Sequence, residues 1–388
     1  MTYCPGAGDA AAEPEMILYM NTEIKTDKKE KGISSRAFNT LFLAVVCGGL
    51  LCVALIMVVV DPLFHYHAPI PGMSYTLNDE RYQNNGIVKH FDYDAMITGT
   101  SMTENFKTSE ADALFGVHSI KTCFMGGSYR EISDNIRTAV EHNPGLKTVI
   151  RATDQFDLIT PADKHVSTDP ETTFKYPWFI VDDNPFNDVE YLLNKSLLSD
   201  AVTDVKMTLT HTPSTTFDEY MNWMSMYTFG RDAVLATYAR PEQSDTVIPL
   251  TDEDREMIRD NLTKNVIELA ADCPDVTFYV WIPPYSVCYY DVEKRKGTLK
   301  KDLDAMEYEL ELLTGIDNIR LFGFSDREDI VTDLSLYKDM IHYGESVNSE
   351  VLRAMAAGEG LITSDNREAY MERVRDIFLD YDYDSIYE

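Results

Sequence analysis

Apolar positions follow two rhythms along this chain, and beyond residue 90 the rhythms alternate. Residues 95–106, Ala-Met-Ile-Thr-Gly-Thr-Ser-Met-Thr-Glu-Asn-Phe, run from an apolar and β-branched stretch into Gly99-Thr100-Ser101 and then into a helix-like segment. This predicts a strand at 95–99, a tight turn and a helix near 104–115. A strand at 119–124 leads through Met125-Gly126-Gly127-Ser128 into a helix at 129–142, and a strand follows at 147–152. The rhythm resumes with a helix at 252–272, a strand at 277–282 and the loop Pro283-Pro284-Tyr285-Ser286. A helix at 294–314, a strand at 318–323 and a helix at 345–357 complete it. Alternating periods of two and 3.6 predict an α/β fold, a parallel sheet with helices on both faces. In such sheets chemistry sits beyond the C-terminal strand ends. Ser101, Gly126-Gly127, Asp154 and the 283–286 loop all fall there.

One stretch has no rhythm. Residues 41–60 hold twenty residues without a charge, about 30 Å of helix and enough to cross a bilayer core. Lys25, Lys28, Lys29, Lys31 and Arg36 precede it and Asp61 closes it, so the expected topology is single-pass, N-terminus cytoplasmic and C-terminal domain extracellular. A cleaved signal peptide is the competing reading. The run is longer than a usual signal core, and no small-x-small site follows it, which favours an uncleaved anchor. The expected organisation is a disordered cytoplasmic tail (1–37), a transmembrane anchor (38–60), a juxtamembrane connector (61–90), an α/β domain (91–360) and a helical tail (361–388). Turn signals in the connector are Pro69, Pro71-Gly72 and Asn84-Asn85-Gly86. Residues 155–250 interrupt the α/β rhythm and are rich in aromatics, Trp178, Tyr191, Tyr220, Trp223 and Tyr227 among them. They read as an inserted lid or cap whose rings either fill a small core or stack on sugars.

Charge narrows the function. Residues 61–388 hold 59 acidic against 29 basic side chains, a net of about −30. Such a surface repels phosphate backbones, so nucleic-acid binding is excluded. Six cysteines make no disulfide scaffold in 388 residues. Cys123, Cys273 and Cys288 fall outside the anchor, with Cys123 and Cys288 expected as buried thiols and any single pairing left open. Arg130-Glu131 is expected as a surface pair, and Asn194-Lys195-Ser196 and Asn261-Leu262-Thr263 match the glycosylation sequon.

Candidate chemistry begins at Ser101. A serine at a strand end can serve as a nucleophile beside backbone N–H groups that would hold an oxyanion, or can simply cap a helix. The nucleophilic role needs a base. Of eight histidines, His342 stands after the last strand and just before a helix, with Asp339 three residues earlier. That spacing brings carboxylate and imidazole together, either as a catalytic pair or as a helix-capping pair. His65 and His67 lack the neighbours of a metal site, and a metal-dependent surface protein built on them is the weakest option.

Gly99-Thr100-Ser101 with Asp339-x-x-His342 resembles the SGNH/GDSL hydrolase superfamily over roughly residues 90–360, the insertion excepted. The resemblance implies a flavodoxin-like three-layer α/β fold. It is nearest to the membrane-anchored branch that includes the teichoic-acid D-alanyl transfer and alginate O-acetylation proteins. Thr100 departs from the usual Gly-Asp-Ser block. By the resemblance Ser101 is the nucleophile, His342 the base and Asp339 its orienting partner. The backbone N–H of Ser101 and of Gly126 or Gly127 would form the oxyanion hole. The third family block offers an asparagine, which 151–155 lacks; Gln155 could donate instead, whereas an ionised Asp154 would repel an oxyanion. Tyr285 and Ser286 either line the pocket or belong to a proline-stiffened loop. No metal or organic cofactor is called for. The expected function is a membrane-anchored serine esterase or O-acyltransferase acting on an acylated glycan or cell-surface polymer, with a multi-pass membrane acyltransferase as partner. The alternative is a non-catalytic extracellular accessory or glycan-binding protein on a degenerate fold.

Overall fold

The computed structural model describes residues 33–164, 176–182 and 184–387. Most of the expected N-terminal tail and residues 165–175 of the insertion, Phe174 among them, lie outside the described residues. The chain divides into two compact units, Met1–Gly49 and Leu50–Glu388. The helix α1 (Ser35–Val60) is long and apolar enough to cross a membrane.

In the second unit, β1 (Ala95–Gly99), β2 (Ser119–Cys123), β3 (Thr148–Ala152), β4 (Thr277–Ile282), β5 (Ile319–Gly323) and β6 (Leu361–Ile362) form one sheet in the order β2-β1-β3-β4-β5-β6. The first five strands are parallel, as the alternation predicts. The sixth is not: β6 pairs antiparallel with β5, making the sheet mixed rather than wholly parallel. Its hydrophobic signal is two residues long, too short to register as a period. The chain order reverses between β1 and β3, and the crevice at that switch is where side chains from several loops converge.

The sheet is covered on both faces. The helices are α2 (Glu80–His90), α3 (Thr108–Phe115), α4 (Tyr129–His142), α5 (Lys195–Leu209), α6 (Asp252–Leu262), α7 (Glu268–Asp272), α8 (Val287–Lys296), α9 (Leu299–Leu313), α10 (Glu345–Ala357) and α11 (Arg367–Asp380); all but α5 surround the sheet, and α5, in the insertion, bonds to Ser74 and Thr76 of the connector. Strand alternation assigns the faces. Tyr279 and Trp281 of β4 meet Phe115 and Phe106 on one face. Arg151 of β3 points to the other, where its guanidinium donates to the carbonyls of Asn265 and Tyr129. Asn265 lies in a π-helical turn, Thr263–Ile267, that joins α6 to α7.

Three local expectations fail for identifiable reasons. Asn84-Asn85-Gly86 is not a turn but the middle of α2. Its asparagines are spent on distant partners: Asn84 Nδ2 donates to the Cys123 carbonyl and Asn85 Nδ2 to that of Ile180. Gly86 lets α2 cross Leu63, whose carbonyl oxygen would lie 2.1 Å from an added Cβ. The single helix expected at 294–314 breaks into α8 and α9 at Gly297, which has φ +80 and sits against the Thr246 carbonyl. Arg130 and Glu131 do not pair: Arg130 bonds Asp134, while Glu131 is buried against Arg81.

The insertion supplies both core and wall. Tyr191 and Tyr220 are buried, the former in a second apolar cluster with Met57, Val60 and Leu63. Asn261 is 1% exposed, so its sequon presents no acceptor. Cys123, Cys273 and Cys288 are buried free thiols.

Candidate active site

Several segments converge on Ser101. Gly99 ends β1 with φ +150, where an added Cβ would strike the Thr103 hydroxyl at 2.6 Å. The following residues form hydrogen-bonded turns rather than the expected helix start. Thr103 donates from both N–H and Oγ1 to the Thr100 carbonyl. The buried Lys121 ammonium takes the carbonyls of Glu104 and Phe106, at 2.5 and 3.0 Å. Those acceptors are thereby lost to a helix, and α3 starts only at Thr108. Ser101 is therefore not a helix cap.

Ser101 Oγ lies 2.8 Å from His342 Nε2. His342 Nδ1 lies 2.8 and 3.0 Å from the two oxygens of Asp339. The same carboxylate accepts the backbone N–H groups of Ile341 and His342, which fixes its rotamer. Burial raises the Asp339 carboxyl, but the hydrogen bond and charge of His342 and the hydrogen bond of Lys338 outweigh it and hold it well below the usual range. The loop is closed by the Tyr337–Tyr343 bridge and tied to the sheet through Ser286, whose Oγ donates to the Met340 carbonyl at 2.7 Å. Asn348 of α10 in turn donates to the Met102 carbonyl beside Ser101.

The serine opens on a cavity of about 880 Å³. Phe156, Met221, Trp223, Met226 and Tyr227 provide its apolar wall, and Thr100, Asp154, Gly126 and Lys338 its polar edge. Trp223 meets the His342 ring edge-on at 5.7 Å, and the Lys338 ammonium spans the Trp223 and Tyr227 rings and the Asp339 carboxylate. The insertion thus reaches the site, with some rings in the core and others on the wall.

Backbone donors are fewer than the sequence suggests. The Gly127 N–H is spent on the Phe124 carbonyl at 2.8 Å, so Gly127 is not an oxyanion donor. The N–H groups of Ser101 and Gly126 have no protein acceptor among the described residues. Gly126 has φ +59 and open space beside it. Gln155 does not line the cavity; its Nε2 turns to the buried Glu309 at 3.3 Å. Tyr285 and Ser286 do not line it either. Tyr285 is fully buried and donates to Asp154 Oδ1 at 2.5 Å, while Thr100 Oγ1 donates to Oδ2 at 2.5 Å. Asp154 does border the cavity. Burial raises its carboxyl against the pull of those two hydroxyls.

No family model and no curated protein matches this chain. A solved structure from Streptococcus pneumonia, of a protein provisionally described as a platelet activating factor, is similar over 72% of this chain and 89% of its own, at 9% identity and a TM-score of 0.36. At that score the likeness carries no argument.

The sequence reading missed α2 as part of the site. Glu80 Oε2 accepts the Met125 N–H at 2.6 Å, and Arg81 Nη2 donates to the Met125 carbonyl at 2.8 Å. Together they clamp the residue before Gly126 from both sides. Arg81 also makes a fork on Glu131, whose carboxyl burial pushes up to about 7. Burial likewise raises the Glu80 and Glu104 carboxyls, and the charge of Glu104 adds to the rise at Glu80. A local signal existed: Asp79-Glu80-Arg81 is a charged helix start two residues ahead of an Asn-Asn-Gly that masked it.

Proposed function

We propose that this chain is a membrane-anchored, extracytoplasmic SGNH-type serine esterase or O-acyltransferase acting on an acylated glycan or similar cell-surface polymer. The Ser101–His342–Asp339 relay carries this reading. The strand order 2-1-3-4-5 supports the flavodoxin-like part of it. An aromatic wall beside the nucleophile suits a sugar ring, and the cavity is large enough for an acyl group with part of a glycan.

In this mechanism Ser101 Oγ attacks the ester carbonyl carbon as His342 Nε2 takes its proton. Asp339 holds the ring and stabilises the imidazolium. The Ser101 and Gly126 N–H groups stabilise the oxyanion. His342 then protonates the departing alcohol, leaving an acyl ester on Ser101. Water or a sugar hydroxyl attacks that ester, gives its proton to His342, and the proton returns to Ser101 Oγ. In the transfer version a multi-pass membrane acyltransferase supplies the acyl group, the partnership that the resembled branch implies.

The test uses the full chain in detergent with a fluorophosphonate probe and p-nitrophenyl acetate. Labelling and ester cleavage are expected for the native chain and lost in Ser101→Ala and His342→Ala. The accessory-protein reading draws on one observation, that Asp154 and Gln155 are both committed elsewhere. A folded native chain that neither labels nor cleaves would favour it and sink the catalytic reading.

A further inference from the structure

The insertion carries two exposed apolar stripes. Val202, Val205 and Leu209 follow one line along α5, separated by three and four residues, with the half-buried Leu198 four residues before Val202. Phe186, in the turn before the short helix Val189–Leu192, forms the other exposed apolar group with Val189 and Leu193. Phe186 is 89% exposed and Leu209 76%. The adjacent side of α5 is already used, since Leu197, Ala201 and Asp204 are buried, so the stripe continues the apolar face of the helix beyond its packed part. A solvent-facing role does not call for stripes of this kind.

Their surroundings indicate what covers them. Leu197 and Ala201 pack with Ile180 and Tyr191 against Met57 and Val60, and Val53 and Leu198 join the same cluster. Val53, Met57 and Val60 belong to the uncharged run 41–60. Val53 lies seven residues before Val60, about 10 Å along a helix axis. Insertion residues that touch this length therefore stand at the depth of the run's last two turns. Polar groups mark the boundary. Tyr191 donates to Asp61 at 2.6 Å, Tyr66 donates to Asp188, and His65 pairs with Asp188 at 3.4 Å. Tyrosines with a buried ring and a hydrogen-bonded hydroxyl are characteristic of a membrane interface.

We propose that the two stripes of the insertion dock into the headgroup–acyl boundary of the bilayer that α1 crosses, with lipid as their occupant. The inference rests on α1 being a membrane anchor and is independent of the chemistry at Ser101. Immersion of about 5–10 Å is typical of an amphipathic helix lying in that boundary, the depth that the packing on Val53 requires. Docking would fix the catalytic domain against the membrane at the insertion, the same segment that supplies Trp223 and Tyr227 to the cavity wall.

The experiment uses the full-length chain in phosphatidylcholine nanodiscs, with one NBD-labelled cysteine at a time. Native Cys47 reports the span. Phe186→Cys, Val202→Cys and Leu209→Cys report the stripes, and Val247→Cys, at an exposed apolar residue outside them, is the control; other reactive cysteines are replaced by serine. Nitroxides are placed shallow or deep in the lipid, and iodide is added to the water. The expected result is blue-shifted emission at 186, 202 and 209 that shallow lipid nitroxide quenches and iodide does not, with the reverse at 247 and deep quenching at Cys47. Iodide quenching at the stripes with Cys47 quenched by lipid would overturn docking and leave the anchor standing. A blue shift without lipid quenching would mean that a protein covers the stripes, and also overturns it. An unquenched Cys47 would remove the anchor and the docking together.

Discussion

Ser101 Oγ and His342 Nε2 lie 2.8 Å apart although 241 residues separate them. Neither residue is held by its neighbours in sequence alone. The serine turn is braced by Lys121, Asn348 and Thr103, and the histidine loop by Ser286 and the Tyr337–Tyr343 bridge.

Asp339→Asn should lower kcat for p-nitrophenyl acetate by roughly 10⁴-fold while the fold survives, because the amide cannot keep the imidazole in its working orientation and charge state. Circular dichroism beside the kinetics separates the two effects. The Asp339 carboxyl is depressed in the fold, so its stabilising ionisation is present above the ordinary aspartate range and lost only as pH falls below it. Activity loss that tracks Asp339 protonation near pH 6 would contradict this.

Glu80→Ala should release the Met125 N–H and displace Gly126, lowering kcat by about 10²-fold with less effect on KM. Glu80→Gln keeps an acceptor in place and should restore most of the rate. Equal activity in all three proteins would show that the clamp does not position the oxyanion donor.

Arg81→Ala should act on stability as well, since it removes the fork on the buried Glu131, whose carboxyl then takes up a proton; the loss should exceed the roughly 1 kcal/mol of a surface pair. Urea unfolding measures this, and a loss below about 1 kcal/mol, the worth of a surface pair, would contradict the burial argument.

Gln155→Ala should leave kcat/KM for p-nitrophenyl acetate unchanged, because its amide faces Glu309 and not the cavity. A hundredfold loss would instead assign it to the oxyanion hole.

Burial raises Glu309 to about 8 and Asp302 and Glu131 to about 7. Each carboxyl binds its proton more tightly folded than unfolded. Its stabilising contribution is therefore complete below the ordinary carboxylate pKa of about 4.3 and is lost as pH rises through about 7–8. Unfolding free energy should fall across that window, and Glu309→Gln should flatten the slope. A slope that the substitution leaves unaltered would refute the assignment.

Part of this was legible in the chain itself. Residues 95–99 and 277–282 are short, largely apolar or β-branched runs closed by turn residues, a pattern that needs no tertiary information to be seen. Asp339-x-x-His342 is a local pair, and Ser101 stands at a strand end by counting alone. The missed features are those in which a residue answers to a distant group. Asn84 and Asn85 look like turn formers until the carbonyls of Cys123 and Ile180 accept their amides. Gly297 ends a helix because the Thr246 carbonyl occupies the space of a Cβ. Tyr285 and Ser286 reach inward to Asp154 and Met340 instead of outward to the cavity.

Local pattern thus determined the α/β alternation, the uncharged run at 41–60 and the choice of Ser101, Asp339 and His342 as candidates. Tertiary structure alone decided that Gly126 rather than Gly127 keeps an amide without an acceptor among the described residues, that Gln155 turns away, and that Glu80 and Arg81 of α2 hold the glycine loop. The physical reason is that periodicity follows from a segment's own backbone geometry. The use of a buried hydrogen-bonding group depends on whichever acceptor or donor the fold brings within about 3 Å of it.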